Sequence, residues 1–215
     1  KLASRKVHLL TNGFDPSDIP FGFSPKEKKA RQLHLVYSGI IDSIRNPIPL
    51  LKAMKEEFLG TDEAVDLTFV GKVSEQVREY VVEDAWLKAR VNFPGYVSHG
   101  EVFGFYAQAD ALVLILTDTK NAQGNIPGKL FEYMATGVPI LALGDPKGDS
   151  AQILEQSKAG KVIRHEDFVG IQVALRELMD AQSEIKEASN LDQFSRRSLT
   201  LDLANILNEN SVSGS

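Results

Sequence analysis

The chain alternates short, uniformly apolar runs with longer stretches in which apolar residues recur at helical spacing. The apolar runs are rich in β-branched residues, which favours strands, and they span 6–11, 33–39, 65–71, 91–97, 111–116, 138–144 and 161–165. Helical spacing predicts helices at 46–58, 74–86, 98–109, 150–160, 168–182 and 194–208, and a further helix that begins at Gly128 and Lys129.

Strands that are apolar on both faces are typical of a parallel sheet covered by helices on each side. The repeated strand–helix order therefore predicts an α/β fold, with a Rossmann-like, doubly wound, mainly parallel sheet and helices on both faces. We expect one domain at 33–208, preceded at 1–32 by a linker strand and a polar, proline-rich wrap. A disordered tail is expected at 209–215.

Several helix starts carry capping signals. Asn46 is predicted to cap a helix that opens with proline. Ser98 with Glu101, and Asp149 with Gln152, have the spacing of a capping box, in which each side chain bonds the other residue's backbone N–H.

Composition narrows the class of protein. With 43% hydrophobic and 25% charged residues, the chain can form an ordinary globular core. The sequence has no cysteine, which excludes disulfides and a cysteine nucleophile. A net charge of −5 without a basic run predicts no broad nucleic-acid surface, and the apolar runs are too short for a transmembrane segment. Because the chain begins with Lys1, we expect a piece of a longer protein.

Ligands of doubly wound sheets bind at the carboxyl ends of the strands, so the loops that follow strands are the candidate site. After the strand at 33–39, Gly39 lets the backbone approach a ligand, and Arg45 lies at the start of the next helix. Backbone amides and a guanidinium suit a phosphate. The alternative is a glycine required by the turn and a solvated arginine.

The loop after 111–116 leads into "GNIPGKLFEYMATGVPILAL" (124–143), with Gly128 and Lys129 at a helix N-terminus and Glu132 one turn inside it. Lys129 can neutralise a phosphate, with help from the helix dipole. An ionised Glu132 can accept both hydroxyl protons of a ribose diol. The alternative is an ordinary helix start with a solvated lysine.

The stretch "FPGYVSHGEV" (93–102) offers a backbone edge at Gly95, Tyr96 and Val97 that could bind a base. His99 is interpreted as part of a solvated helix start. The sequence contains no HExxH, GxSxG, GxxxxGK(S/T) or GxGxxG pattern, so the catalytic residues stay unassigned.

Taken together, these loops resemble the C-terminal, nucleotide-sugar-binding domain of the group 1 (retaining, GT-B fold) glycosyltransferases. The resemblance spans about 6–207 and is carried by "LLTNGFD" (9–15), "LVYSGIIDSIRNPIPLLKAM" (35–54), "LTFVGK" (67–72), "FPGYVSHGEVFGFYAQADALVLIL" (93–116), "IPGKLFEYMATGVPILAL" (126–143) and "AGKVI" (159–163).

The resemblance implies roles for the residues of these loops. Gly39, Arg45, Gly128 and Lys129 would bind the donor pyrophosphate, and Glu132 would hold the nucleotide ribose. Catalytic residues are not implied at any one position.

Two positions depart from the family pattern. The usual arginine directly after the first-loop glycine is Ile40 here, and we infer that Lys129 supplies the lost charge, as in a family variant with the pattern Pro-x-Lys-x-x-Glu-Tyr. Many members also carry a glutamate beside the transferred sugar, where this chain has Gly124. The donor-sugar loop is therefore predicted to be Gly124, Asn125 and Ile126, without that carboxylate.

The resemblance implies that 33–208 is the donor-binding domain of a retaining glycosyltransferase that uses a nucleotide-diphospho-sugar. In the family, the "TNGFD" segment follows an N-terminal acceptor-binding domain; here it lies near the first residue, so we expect that domain to be missing and this chain alone to be inactive. The acceptor would be a glycan, a lipid-linked sugar or a small molecule.

The sequence has no Asp-x-Asp motif, and GT-B enzymes generally use helix dipoles and basic side chains, so neither a metal nor another cofactor is expected. We expect a cytoplasmic location, with peripheral membrane attachment through the missing domain as an option. Two alternatives stay open: a sugar-nucleotide epimerase, and a noncatalytic nucleotide-sugar-binding module.

Overall fold

The computed structural model describes residues 7–117, 122–181 and 191–212. In this part of the chain the strands are β1 (Gln32–Ser38), β2 (Ala64–Val70), β3 (Val91–Gly95), β4 (Ala111–Ile115), β5 (Ile140–Leu143) and β6 (Gly160–Ile163). They form one sheet in the order β3-β2-β1-β4-β5-β6, and every neighbouring pair is parallel. The predicted fold class is confirmed.

Helices connect the strands and cover both faces of the sheet. They are α1 (Ile48–Phe58), α2 (Glu75–Val82), α3 (Ala85–Lys88), α4 (His99–Ala107), α5 (Gly128–Ala135), α6 (Asp149–Ser157), α7 (Phe168–Asp180) and α8 (Arg196–Val212), with short 3₁₀ helices at Pro16–Asp18, Ala122–Gly124 and Leu191–Phe194. The single helix predicted at 74–86 is divided, because the Asp84 carboxylate accepts from the N–H groups of Trp86 and Leu87 and so caps a new helix. None of the helices in the described ranges has both the length and the apolar composition needed to cross a bilayer.

The sheet separates two hydrophobic cores, because neighbouring residues of a strand point to opposite faces. In β4, Ala111, Val113 and Ile115 lie in the core covered by α1, α2, α3 and α7. Leu112 and Leu114 lie in the core covered by α4, α5 and α6. All five are at most 4% exposed, which is why this strand shows no polar alternation.

The strand order reverses between β1 and β4. From β1 the chain continues outward to β2 and β3, returns to β4 beside β1, and then continues outward on the other side to β5 and β6. At such a switch point the connections leave in opposite directions, and a crevice opens at the carboxyl ends of the two central strands. The two loops with the candidate phosphate-binding residues meet here, since a Cβ at Gly39 would lie 3.7 Å from Cε of Lys129.

The capping predictions have three different outcomes. The capping box of Ser98 and Glu101 is present at the start of α4. The one predicted for Asp149 and Gln152 is wrong, because α6 begins at Asp149 itself and Gly148 holds the N-cap position. Asn46 is not the N-cap of α1, which is Pro47. Its side chain nevertheless accepts from the Ile48 N–H, the first of that helix, at 3.0 Å.

The strand predicted at 6–11 is wrong for its described part, since 7–11 belong to neither a helix nor a strand. Val7 is 89% exposed and Leu9 is 82% exposed. An apolar, β-branched run forms a strand only where a neighbouring strand offers free backbone groups, and this segment lies outside the sheet. Residue 6 lies outside the described residues.

Residues farther along this N-terminal segment are fixed to the other end of the chain. The Phe14 N–H donates to the Phe194 carbonyl at 3.1 Å, and the Phe14 carbonyl accepts from the Arg196 N–H at 2.8 Å. Helix α8 continues through Val212, so the tail predicted at 209–215 is helical up to that residue. Residues 213–215 lie outside the described residues.

The tight contact between β5 and β6 gives a test of the fold. Gly160→Ala would place a Cβ 2.0 Å from the Ile140 backbone oxygen, and a backbone atom cannot move aside as a flexible side chain can. We expect the free energy of unfolding to fall by about 1–3 kcal/mol, as for other overpacked sites. Urea denaturation measures this change.

The matched control is Gly104→Ala inside α4, where an added Cβ meets no described atom within 4 Å. Alanine favours helix more than glycine does, so this variant should be as stable as the parent or about 0.5–1 kcal/mol more stable. Parental stability for Gly160→Ala would contradict the packing of β6 against β5.

Candidate functional site

Glycines at the ends of three neighbouring strands build the main wall of the crevice. Gly39, Gly71 and Gly95 follow or end β1, β2 and β3, with φ of +134°, +124° and +84°. Such angles favour glycine because a Cβ would be strained. The Gly39 N–H donates to the Val70 carbonyl and the Gly71 N–H to the Gly95 carbonyl, each at 2.8 Å, so the three turns hold one another in place.

The wall belongs to an open cleft of about 690 Å³. Its lining comes from the β1, β2 and β3 loops and from α2, α4 and the start of α5. The residues are Ser38–Ile40, Val70–Lys72, Arg78, Gly95–His99, Val102 and Lys129. The predicted Gly39 and Lys129 and the predicted base-binding residues Gly95, Tyr96 and Val97 are thus brought together. This volume suits a small ligand such as a nucleotide.

The charged side chains that line the cleft are cationic, although the whole chain has a net charge of −5. They are Lys72, Arg78 and Lys129, and among the described lining residues there is no carboxylate. The Arg78 guanidinium lies over the Phe93 ring, 4.7 Å from its centroid, and its Nε donates to the Val73 carbonyl at 3.4 Å. These contacts hold one cation at the end of the cleft formed by the loop after β3, and the cleft as a whole favours an anion.

Lys129 and Glu132 lie close together at the start of α5. Nζ of Lys129 is 3.7 Å from Oε1 of Glu132, and it donates to Oγ of Ser38 at 2.9 Å. The same Glu132 oxygen accepts from the Tyr106 hydroxyl at 2.6 Å. The two charged groups of the predicted site therefore share a hydrogen-bonded network with the end of β1 and with α4.

Tyrosine hydroxyls form the buried part of this network. The Tyr133 hydroxyl accepts from the Ser38 N–H at 2.8 Å, and the Tyr106 hydroxyl lies 2.5 Å from Oγ of Ser38. Ser38 is 2% exposed, and both tyrosines are fully buried. Burial raises the pKa of both Tyr106 and Tyr133, so each keeps its proton at physiological pH.

Two predicted site residues, Gly128 and Glu132, do not line the larger cleft. They border a second, smaller cavity of about 140 Å³, together with Asn12, Phe14 and Arg196. A Cβ at Gly128 would lie 2.9 Å from Nδ2 of Asn12, so the N-terminal segment reaches the start of α5. The carboxylate of Glu132 thus lies between this cavity and the cation of the larger cleft.

Arg45 is placed differently from the other predicted residues. Its guanidinium forms an ion pair with Asp42 at 2.9 Å, and it is not among the residues that line the cleft. Both side chains are at least 35% exposed, so the pair is weak and solvent-screened. A pyrophosphate contact from Arg45 stays a prediction.

The predicted donor-sugar loop is anchored to the protein and does not line the cleft. Gly124 ends a 3₁₀ helix and is exposed. Asn125 donates from Nδ2 to Oγ1 of Thr117 at 3.0 Å and accepts through its backbone oxygen from the Ser150 hydroxyl at 2.6 Å. Ile126 packs against the core under α4, α5 and α6. The sugar contact of this loop stays a prediction.

Residues outside the sequence-based site also contribute to the cleft and its network. Gly71, Lys72, Arg78 and Ser38 line the cleft. The hydroxyl of Ser38 accepts from Lys129, and that of Tyr106 donates to Glu132. Tyr133 accepts from the Ser38 N–H. Gly71 could have been found, because it follows β2 as Gly39 follows β1. His99 lines the cleft as an exposed residue packed edge-on against Phe103.

A comparison with protein-family models assigns the chain to a family. Residues 32–181 match the model of the family described as glycosyl transferases group 1. The match covers more than half of the chain, and the chain therefore belongs to this family. A sequence comparison with curated proteins finds no match.

Solved structures of similar fold extend the comparison. The apo lipopolysaccharide outer core galactosyltransferase WaaB is 13% identical with a TM-score of 0.71, over 94% of this chain and 56% of that one. Sucrose-phosphate synthase from Thermosynechococcus elongatus is 19% identical with a TM-score of 0.71, over 96% and 53%. Anabaena HepE in complex with UDP-glucose is 15% identical with a TM-score of 0.68, over 93% and 57%. At these identities the likeness shows the fold, and the chain spans little more than half the length of each protein.

The hydroxyl network gives a prediction that needs no ligand. Tyr133→Phe would leave the buried Ser38 N–H without its acceptor, because that N–H donates to the Tyr133 hydroxyl. An unpaired buried donor costs about 1–3 kcal/mol, and we expect the free energy of unfolding to fall by that amount. Urea denaturation measures it, with Tyr80→Phe on α2 as the control. A change no larger than that of the control would mean that the bond contributes nothing to stability.

Proposed function

We propose that this chain is the donor-binding domain of a retaining glycosyltransferase, and that it holds a nucleotide-diphospho-sugar in the 690 Å³ cleft. One observation carries the proposal: Gly39, Lys129 and Glu132 meet at the switch point of a doubly wound sheet, with Nζ of Lys129 3.7 Å from the Glu132 carboxylate. Lys129 lines the cleft and Glu132 borders the smaller cavity beside it, so the pair offers a cation and a hydroxyl acceptor to one ligand that reaches both. Membership of the group 1 family supports it.

The pyrophosphate would lie against Gly39 and the N-terminus of α5. An unsubstituted Cα at Gly39 allows close approach, and the first backbone N–H groups of α5 have no partner within the helix. Lys129 is half-buried, with a side-chain exposure of 32%, so its charge is screened less than that of a fully solvated lysine. Lys72 and Arg78 add positive potential along the same cleft.

The ribose would lie at Glu132 and the base at the loop after β3. An ionised carboxylate accepts hydrogen bonds from a diol, which a neutral helix residue at this position could not do as well. Tyr96 is 90% exposed at the edge of the cleft and presents an apolar ring to a base. The proposed nucleotide-sugar class is further supported by HepE, which has a similar fold and was solved with UDP-glucose.

Three finer features belong to the same proposal. Retention at the anomeric carbon follows from the family resemblance. A metal ion is not required, because the cations that line the cleft can neutralise the diphosphate, as helix termini and basic side chains do elsewhere. The acceptor would bind to a second, N-terminal domain, and the 53–57% coverage of the longer relatives supports such a partner.

The two-domain proposal predicts that residues 1–215 alone transfer no sugar. The cleft is open on one side, and a closing domain is needed to exclude water and bring the acceptor to the donor. Release of nucleoside diphosphate from UDP-, GDP-, ADP- and dTDP-glucose is measured with and without candidate acceptors, beside a binding titration of the same preparations. Acceptor-dependent turnover by this chain alone would show that the second domain is not required.

Substitution of the charged pair tests the assignment of the cleft. Charge-assisted hydrogen bonds are worth about 1.5–3 kcal/mol, so Lys129→Ala and Glu132→Ala should each weaken nucleoside diphosphate binding about 10- to 100-fold. Lys129→Ala should affect UDP much more than uridine, because only UDP carries the diphosphate. Glu132→Ala should affect both, because both carry the ribose. Calorimetric titration is performed with the base that a thermal-shift screen selects.

Matched controls come from one exposed face of α1. Lys52→Ala and Glu56→Ala remove the same two charges from exposed positions outside the cleft. These variants should bind UDP as the parent does, within about twofold. Equal affinities for the Lys129 and Glu132 variants and for these controls would remove α5 from the site.

A further inference from the structure

Three buried side chains lie behind Lys129, which lines the cleft, and Glu132, which borders the smaller cavity. Ser38 ends β1, Tyr106 lies in α4 and Tyr133 lies in α5, so they come from three separate elements. Their hydroxyl groups, here called the hydroxyl bridge, lie within 3.2 Å of one another in the Ser38–Tyr106 and Ser38–Tyr133 pairs. The bridge contacts Lys129 through Ser38 and Glu132 through Tyr106.

The chemistry of the end groups sets the direction of the hydrogen bonds. A lysine ammonium only donates and an ionised carboxylate only accepts. Lys129 therefore donates to Oγ of Ser38, and Tyr106 donates its single proton to Oε1 of Glu132. Because that proton is committed, the short contact between Ser38 and Tyr106 is a donation from the serine. The bonds run in one direction, from ammonium to carboxylate.

We propose that the hydroxyl bridge positions Lys129 and Glu132 jointly, so that the phosphate-binding and ribose-binding ends of the site are energetically coupled. This inference rests on the proposed function. Tyr106 and Tyr133 are positioning residues, since they act on the nucleotide through Lys129 and Glu132. Ser38 also lines the cleft, and the Lys129→Ala background of the test separates its action through Lys129 from a direct contact with the ligand.

Ion pairing alone would not hold the two charged groups. Their side chains are 32% and 24% exposed and the charged atoms are 3.7 Å apart, a geometry that gives a weak pair in water. A long lysine chain also loses rotamer freedom when it is fixed. The bridge supplies fixed acceptor and donor groups from the rigid sheet edge and from α4, so part of this ordering is complete before a ligand binds.

The bridge also distinguishes the two oxygens of Glu132. Tyr106 and Lys129 both face Oε1, at 2.6 and 3.7 Å. This fixes the carboxylate plane and leaves Oε2 as the oxygen that accepts from a ligand hydroxyl. Tyr106→Phe would keep the ring and its packing but free the carboxylate to rotate. It should therefore weaken the binding of every ligand that contains the ribose.

The test is a double-mutant cycle on nucleotide affinity. UDP, GDP, ADP and dTDP are titrated calorimetrically against the parent, Tyr106→Phe, Glu132→Ala and the double variant. Tyr106→Phe should weaken the best-bound diphosphate roughly 3- to 10-fold, the effect of one lost hydrogen bond. In the Glu132→Ala background the same change should cost less than about twofold, because the group it positions is gone.

A second arm uses the other end of the bridge. Ser38→Ala removes the acceptor of Lys129 and should weaken nucleoside diphosphates more than the nucleoside, with the loss reduced in a Lys129→Ala background. The matched controls are Tyr80→Phe and Ser157→Ala; the Ser157 hydroxyl is equally buried but donates to the Ile153 carbonyl in α6. Both controls should bind as the parent does.

The outcomes distinguish a failure of the coupling from a failure of the proposed function. If the parent binds a nucleoside diphosphate and Tyr106→Phe and Ser38→Ala bind it equally well, the coupling is overturned and the proposed function stands. Equal losses in the parent and in the Glu132→Ala and Lys129→Ala backgrounds would show a general structural effect and would also overturn it. If the parent binds none of the four diphosphates, the proposed function fails, and this inference fails with it.

Discussion

The close approach of two backbone turns is the constraint on which the site depends. A Cβ at Gly71 would lie 2.1 Å from the Gly39 carbonyl oxygen, so a side chain at this position would separate the β1 and β2 loops. The Gly71 N–H also holds the Gly95 carbonyl, and through it the loop after β3. Three loops from consecutive parallel strands thereby form one wall made largely of backbone. The specific chemistry of the cleft is left to a few side chains around that wall.

The fold could be predicted from the sequence because its parallel sheet leaves a direct trace in the pattern of residues. Each central strand is buried on both faces, and β4 accordingly consists of apolar residues only. The prediction was wrong where the same composition had no strand to pair with, as at 7–11. The capping box predicted for Asp149 was also wrong, because residue spacing alone does not show which residue is the N-cap and which is the first residue of the helix. The first error concerns a strand partner that a local window of sequence does not contain, and the second concerns the position of a helix start by one residue.

The site was predictable only to the extent that it follows from strand ends. Loops after strands in a doubly wound sheet converge, and Gly39, Lys129 and the loop at Gly95 accordingly lie at one cleft. Ser38 and Tyr106 could not be found in this way, because each lies in an apolar stretch and resembles a core residue. Tyr133 is the tyrosine of the Pro-x-Lys-x-x-Glu-Tyr pattern, but its hydrogen bond with Ser38 was not predicted. The polar roles of these three residues depend on hydrogen bonds between residues up to 95 positions apart. The ion pair between Arg45 and Asp42 was not predicted either.

The isolated parallel backbone pairing of Phe14 with Ser195 has a topological consequence. It closes most of the domain into one long chain loop, and the entropy lost on closing a loop grows only with the logarithm of its length. Asn12 and Phe14 border the same cavity as Glu132. Their position is therefore linked to the packing of Phe194 and Arg196, which hydrogen-bond with Phe14. A change of packing at the start of α8 would therefore reach Asn12, Phe14 and the cavity beside Glu132 without any change in the sheet.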